Sequence, residues 1–257
     1  MISYCIACYR PVYARLLIDD LILKTSAPYE ILLWLNLADA EFETFLDQRI
    51  AEGAPLRMLG RTPGNIGMEA YPHLFASAQY DLIVQIDDDV VCISPRIAET
   101  ARAAFDRHPS LGMVTADVWQ DEYTTGARPP MEHYRPIDQE LGLFDGPIDG
   151  WFAIYRRASL LRCGAILPGR YYCLGGAIKG RLRTFGQHGW LCTRMKVFHV
   201  IGPAYASHFG MLDREIEKYR SLGRQEIVNW YEGDRTRLPA AEELRRRVAR
   251  IRECLST

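Results

Sequence analysis

The sequence predicts an α/β protein with a mostly parallel central sheet flanked by helices, and three observations carry that prediction. Strand-like and helix-like apolar patterns alternate four times in under 95 residues, the signature of right-handed βαβ units. Leu82, Ile83, Val84 and Ile86 form a run of β-formers without polar alternation, which suits a strand covered on both faces. The chain has 257 residues, 48% hydrophobic and 25% charged, enough for one sizeable core of ordinary composition.

Taken in order, residues 2–8 read as a first strand, broken by Tyr9, Arg10 and Pro11. Residues 12–24 follow as a helix with Leu16, Leu17, Leu21 and Leu23 at apolar positions. Residues 30–36 (EILLWLN) are a second strand, 37–52 a helix, 56–60 a short third strand and 61–67 (RTPGNIG) a loop of turn formers. Helical spacing over 68–78 leads into the run at 80–91, YDLIVQIDDDVV. Ser94 and Pro95 start a helix through Arg107, with proline early, where its missing N–H costs little. Residues 111–118 are another strand. The stretch 120–147 lacks periodicity and carries Pro129, Pro130, Pro136 and Pro147, so it reads as a long surface excursion. An aromatic strand at 149–157 (DGWFAIYRR), a glycine-rich segment at 164–180, a helix at 178–185 and a last short strand at 197–200 complete the core. From 213 onward the chain reads as helical, apart from a break near 231–239.

The formal charge of -1 gives no global attraction to nucleic acid or membrane. No apolar run approaches the roughly 20 residues a membrane span needs, and the sequence enters its first strand without a charged leader, so a cytoplasmic location is expected. Seven cysteines lack the spacing of a disulfide framework, which points to thiols in a reducing compartment. Cys5 and Cys8 form a CxxC, but three positions apart on a strand they face opposite sides and read as core.

The chemistry concentrates at Asp87, Asp88 and Asp89, at the C-terminal end of a buried strand. That edge is where open α/β sheets bind ligands, and extended backbone there points Asp87 and Asp89 to one side and Asp88 to the other. Packed carboxylates repel unless protons or a cation intervene, and a hard divalent ion such as Mg2+ or Mn2+ takes oxygen ligands while leaving positions for phosphates. The competing reading is a solvated acidic turn.

The strand exit at Tyr9-Arg10-Pro11, the Asn65-x-Gly67 loop, Asp87-Asp88-Asp89, the Gly150-Trp151-Phe152 strand and a late His199 together resemble a GT-A glycosyltransferase of the family-2-like group, over roughly residues 1–210. The resemblance implies a GT-A-type, Rossmann-like catalytic domain at 1–212, with a nucleotide-sugar half at 1–118, an acceptor-side half at 119–212 and a helical extension at 213–257. It implies that Ala7, Cys8, Tyr9 and Arg10 hold the donor nucleotide, that Asn36 and Asp39 meet its base or ribose, and that Asn65 and Gly67 support it. Asp87 and Asp89 would bind the metal and diphosphate beside Asp88, His199 would be the late metal ligand, and Gly150 and Trp151 would line the sugar. An imidazole beside two carboxylates favours Mn2+ over Mg2+. His208 is the competing ligand, and plain turn or core roles stand open for Asn65, Gly67, His199 and Trp151.

Inverting members of the group carry an acidic pair before the final strands, whereas residues 171–186, YYCLGGAIKGRLRTFG, hold no acid. Asp149 is the leading substitute as general base, with capping of the turn at Gly150 as its alternative role. Asp138, Glu140 and Asp145 on the excursion are weaker candidates, and a retaining transfer needs no such base. The expected activity is metal-dependent transfer of a sugar from a nucleoside-diphosphate donor, such as a UDP-sugar, to an acceptor glycan, a lipid-linked sugar or a modified nucleic-acid base. A nucleotidyltransferase and a non-catalytic nucleotide-sugar-binding module are the alternatives. Five arginines between 245 and 252 form either a solvated helix face or a contact for an anionic partner.

Overall fold

The computed structural model describes residues 1–124, 128–164 and 174–256. Strands β1 (Ile2–Cys8), β2 (Tyr29–Leu35), β3 (Leu56–Arg61) and β4 (Leu82–Asp87) alternate with helices α1 (Pro11–Lys24), α2 (Ala40–Ala51) and α3 (Tyr71–Ser77). They form a parallel block in the order β3-β2-β1-β4. Residues Leu82 to Ile86 are almost wholly buried, as a run of β-formers without polar alternation requires, and the one polar member, Gln85, is buried with them. Pro11 sits in the first turn of α1, where a missing N–H is harmless, and Asp39 caps α2 by accepting from Phe42 N at 2.8 Å.

The second half contains β5 (Val90–Ile93), α4 (Ile97–Arg107), β6 (Leu111–Val118), β7 (Arg135–Asp138), β8 (Leu143–Asp145), β9 (Phe152–Arg156), α5 (Arg157–Cys163), α6 (Leu174–Thr184) and β10 (His188–His199). The sheet continues β4-β9-β6-β10-β8-β7, with β9 antiparallel to both β4 and β6, and β10 parallel to β6. Four helices close the chain: α7 (Pro203–His208), α8 (Leu212–Ser221), α9 (Gln225–Asp234) and α10 (Ala241–Cys254). No helix among the described residues is long and apolar enough to cross a membrane.

Four sequence expectations change. The run at 80–91 is two strands, because Asp88 and Asp89 turn the chain between β4 and β5. The excursion at 120–147 carries two strands of its own, β7 and β8, which extend the sheet beyond β10. Pro95 precedes α4 in a turn, and the residue before the helix, Arg96, adopts a left-handed φ of 59°. The last strand has 12 residues, not four. Its polar positions Thr193, Arg194 and Lys196 hid it from a search for alternation, since the pairing to β6 shifts register between Cys192 and Lys196. Of the glycine-rich segment, residues 165–173 lie outside the described residues.

Close approach explains two glycines. A Cβ on Gly175, at the start of α6, would lie 2.4 Å from Gly150 N and 2.5 Å from the Asp149 carbonyl carbon, and one on Gly150 would lie 2.0 Å from Gln85 Nε2. The N-terminus of α6 therefore rests directly on the backbone that enters β9. Gly175→Ala has no flexible side chain to displace, so we expect a loss of about 1–3 kcal/mol from overpacking, read from the urea midpoint. An unchanged midpoint would show that the two segments can separate freely.

Candidate functional site

At the C-terminal ends of β1, β2 and β4, a cavity of about 400 Å3 opens beside the turn at Asp88 and Asp89. Strand pairing brings a distant residue to that turn. β5 runs antiparallel to the end of β10, with His199 opposite Val90, and Val200 N donates to the Asp89 carbonyl at 2.8 Å. One carboxylate oxygen each from Asp87 and Asp89 and one ring nitrogen of His199 all lie within 4.8 Å of one another. His199 Nε2 is 2.9 Å from Asp89 Oδ1, and its buried Nδ1 has no partner among the described residues.

Asp88 turns the other way and holds the exit of β1. Its Oδ2 accepts from Tyr9 N and Arg10 N at 2.6 Å each, and its Oδ1 accepts from Arg10 Nε and Nη2 at 2.8 and 2.5 Å. The Arg10 fork reaches further, with Nη1 at 2.5 Å from Asp89 Oδ2 and 3.1 Å from Glu215 Oε1. Glu215, on α8, also pairs with Lys218 at 3.3 Å. One guanidinium thus ties the two acids of the turn after β4 to Glu215 on α8, in the planar fork geometry that lysine lacks.

The charges at this centre are unbalanced. Asp87, Asp88, Asp89 and Glu215 outnumber Arg10 and Lys218, and His199 is the remaining group there that can carry positive charge. Burial, then the charge of Asp89, pushes Asp87 up to about 7. Burial acts the same way on Asp89, but Arg10 and His199 outweigh it and hold that carboxyl well below its usual range. Burial lowers the His199 imidazole, and the Asp89 charge more than offsets this and raises it. Two carboxylates and an imidazole converging in a site with surplus negative charge fit a divalent cation, and among N/O donors they fit Mn2+ well.

Glu215 also sets a stability prediction. Burial raises its pKa, but Arg10 and then Lys218 pull it below the ordinary glutamate value. Its contribution is therefore fully present above about pH 4.5 and is lost as pH falls through the depressed folded value. Glu215→Gln should cost about 1–3 kcal/mol at pH 7 and flatten the acid limb of the thermal-stability profile, measured by circular dichroism. A variant whose acid limb matches that of the parent would mean that the bridge contributes nothing.

The sequence-derived site residues separate into two groups. Ala7, Tyr9, Arg10, Asn36, Asn65, Gly67, Asp87, Asp88, Asp89, Asp149, Gly150, Trp151 and His199 all line this cavity. Asn36 Oδ1 accepts from Ile66 N at 3.4 Å and Asn65 Oδ1 from Gly67 N at 2.8 Å, which fixes the loop after β3, where Gly67 has φ 55°. Trp151 donates Nε1 to the Ala116 carbonyl at 2.7 Å, so it belongs to the core as well as to the wall. Asp149 Oδ1 accepts from Gly150 N at 2.8 Å and Gly176 N at 3.2 Å. The carboxylate is therefore both a turn cap and a group at the start of α6, beside the acid-free Gly175-Gly176 pair.

Other expected residues lie elsewhere. Cys8 is buried outside the cavity lining, and Asp39 is spent on its cap and sits on another surface. His208, at the end of α7, packs against Phe209 and does not join Asp87 and Asp89. Asp138 and Glu140 pair with Arg107, while Asp145 pairs with Lys179, Arg135 and Arg183. Cys5 and Cys8 are both buried and carry no disulfide.

Sequence reasoning missed the roof of the cavity. Lys218, Tyr219 and Leu222 from the end of α8, with Ile227, Trp230 and Tyr231 from α9, line it together with Ile201. Glu215 and Lys218, three residues apart on a helix, look in sequence like an ordinary surface pair. Gln85 was missed too. It is fully buried in the floor, its Oε1 accepts from Tyr155 OH at 3.0 Å, and its Nε2 has no partner among the described residues.

No protein-family model and no curated protein sequence matches the chain. Solved structures do. GalNAc-T7 with UDP, GalNAc and Mn2+ matches with a TM-score of 0.62 at 12% identity, covering 79% of this chain and 44% of that one. TarS residues 1–349 from S. aureus, in complex with UDP-GlcNAc, match with a TM-score of 0.60 at 12% identity, covering 78% and 59%. The mannosyltransferase PcManGT from Pyrobaculum calidifontis, with GDP-Man and Mn2+, matches with a TM-score of 0.57 at 15% identity, covering 87% and 64%. The chain thus spans less than two thirds of each of these proteins. Together with the sheet order and the position of the acidic turn, these matches establish that the chain has the GT-A glycosyltransferase fold.

Proposed function

We propose that the protein is a divalent-metal-dependent glycosyltransferase that moves a sugar from a nucleoside-diphosphate donor, a UDP-sugar, to a hydroxyl acceptor. The observation that carries this reading is the convergence of Asp87, Asp89 and His199 within 4.8 Å in the cavity that also holds Arg10 and Lys218. These three residues would hold Mn2+, and the bound ion would supply Lewis-acid stabilisation of charge on the departing diphosphate. Two of the matching proteins carry Mn2+ and all three carry a nucleotide or nucleotide sugar, which supports the choice of donor class.

The side chains divide the work. Ala7, Tyr9, Asn36, Asn65 and Gly67 form the end of the cavity suited to the nucleoside, where backbone turns and amide side chains offer hydrogen bonds. Arg10 and Lys218 line the same cavity and, with the bound cation, would face the diphosphate. Gly150 lets Gln85 pack close against it as the floor, and Trp151 bounds the sugar. Asp149 is the general base: the acceptor oxygen bonds to the anomeric carbon as the bond from that carbon to the diphosphate breaks, and Asp149 takes the acceptor proton.

Incubation with a panel of UDP-sugars and Mn2+ should release UDP from one of them, and failure of every nucleotide to bind would sink the proposal. Asp149→Asn keeps an oxygen for Gly176 N and should lower turnover by about 10²–10⁴-fold, with UDP affinity kept within about twofold. Undiminished turnover would remove Asp149 from the reaction and favour a retaining transfer.

A further inference from the structure

We infer that the acceptor is a hydroxyl compound carried on a hydrocarbon chain, and that the chain lies against the wall made by Ile201, Leu222, Ile227 and Trp230. The inference rests on the glycosyltransferase reading and extends it to the acceptor. All four side chains line the cavity that holds Asp87, Asp89 and Asp149. Ile201 and Ile227 pack against the core from its edge, Leu222 is half-buried, and Trp230 is 36% exposed.

The helix carries two apolar edges. On α9, Val228 and Tyr231 supply the core face, packing with Ala206, Leu212 and Ile216. Ile227 and Trp230 sit one position earlier in each turn and give the helix a second apolar edge toward the cavity. Trp230 is held in place as well: its ring packs about 3.4 Å from where a Cβ on Gly202 would stand, and its Nε1 donates to Asp234 Oδ2 at 2.8 Å. Apolar side chains left fixed and half open at a substrate cavity are surface that a ligand can cover with gain.

The chemistry of the wall selects the ligand. A glycan acceptor brings many hydroxyls, and each one buried without a partner weakens binding. Here Trp230 Nε1 already donates to Asp234 and Tyr231 OH accepts from Gly202 N at 3.1 Å, which leaves one hydroxyl donor between the two aromatic residues of α9. Three aliphatic side chains and one indole face instead match a hydrocarbon chain, whose only requirement is removal from water.

The test is calorimetric titration of the protein, saturated with UDP and Mn2+, with methyl, butyl, hexyl and octyl β-glucosides below their micellar concentrations. Affinity should rise about two- to fourfold per methylene, as expected for partial to full burial. Ile227→Asn, at a half-buried position, should flatten that dependence. Equal affinity for methyl and octyl glucoside would overturn the inference, as would a chain-length dependence that persists unchanged in Ile227→Asn, since the chain would then bind elsewhere. Absence of UDP binding to the parent protein would instead strike the glycosyltransferase reading itself.

Discussion

Asp89→Asn is expected to lower sugar transfer by about 10²–10³-fold and to remove the Mn2+ dependence of UDP binding. The substitution keeps the shape of the side chain but removes the charge that His199 and Arg10 share, through Oδ1 at 2.9 Å and Oδ2 at 2.5 Å. It also places an amide where one of three converging ligand atoms stood. Steady-state kinetics with and without Mn2+, beside UDP calorimetry, separates the effects. A variant that still binds UDP more tightly with Mn2+ would show that Asp89 is not a ligand.

Arg10→Met should cost about 3–5 kcal/mol of folding stability, the largest single-residue effect expected in this protein. Removing the guanidinium takes the shared cation from Asp88, Asp89 and Glu215, all of them buried, and leaves Asp88 its two backbone N–H groups, Asp89 its His199 and Glu215 its Lys218. Arg10→Lys should recover only part of the loss, because an ammonium cannot donate in parallel to Asp88 and still reach Asp89 and Glu215. Added Mn2+ should raise the melting temperature of Arg10→Met more than that of the parent, since an ion binding the native state offsets the lost positive charge. Equal stability of Arg10→Met and the parent, by urea unfolding, would contradict the network.

Much of this site was legible because it rests on local sequence patterns. A buried apolar strand must end somewhere, and three acids at its end sit at the ligand edge whatever the details of the turn. The separation of Asp88 from Asp87 and Asp89 was read from strand alternation. The structure reaches the same separation through a turn, in which Asp88 is drawn to the backbone of Tyr9 and Arg10. The long β10 was not legible, because its register shift breaks the two-residue period that would have announced it. His199 was legible only through the order of motifs, and its place beside Asp87 and Asp89 follows from β5 pairing antiparallel to that strand.

The roof was illegible for a different reason. Glu215 and Lys218 gain their meaning only from Arg10, about 205 residues earlier in the chain, and a one-dimensional pattern carries no such pairing. Burial of an acid on an otherwise polar helix leaves no local signature when its partner is remote. The same holds for Ile227 and Trp230, which read as ordinary members of an amphipathic helix until the cavity beneath them is seen.

The proposed reaction requires a divalent cation between Asp87, Asp89 and His199, against the diphosphate of the donor. Crystals soaked with Mn2+ and UDP, with diffraction recorded at the manganese absorption edge, test this most directly. One strong anomalous peak is expected within bonding distance of those three side chains and of the UDP phosphates, with Arg10 or Lys218 beside the phosphate oxygens. A peak elsewhere, or UDP bound away from the acidic turn, would contradict it.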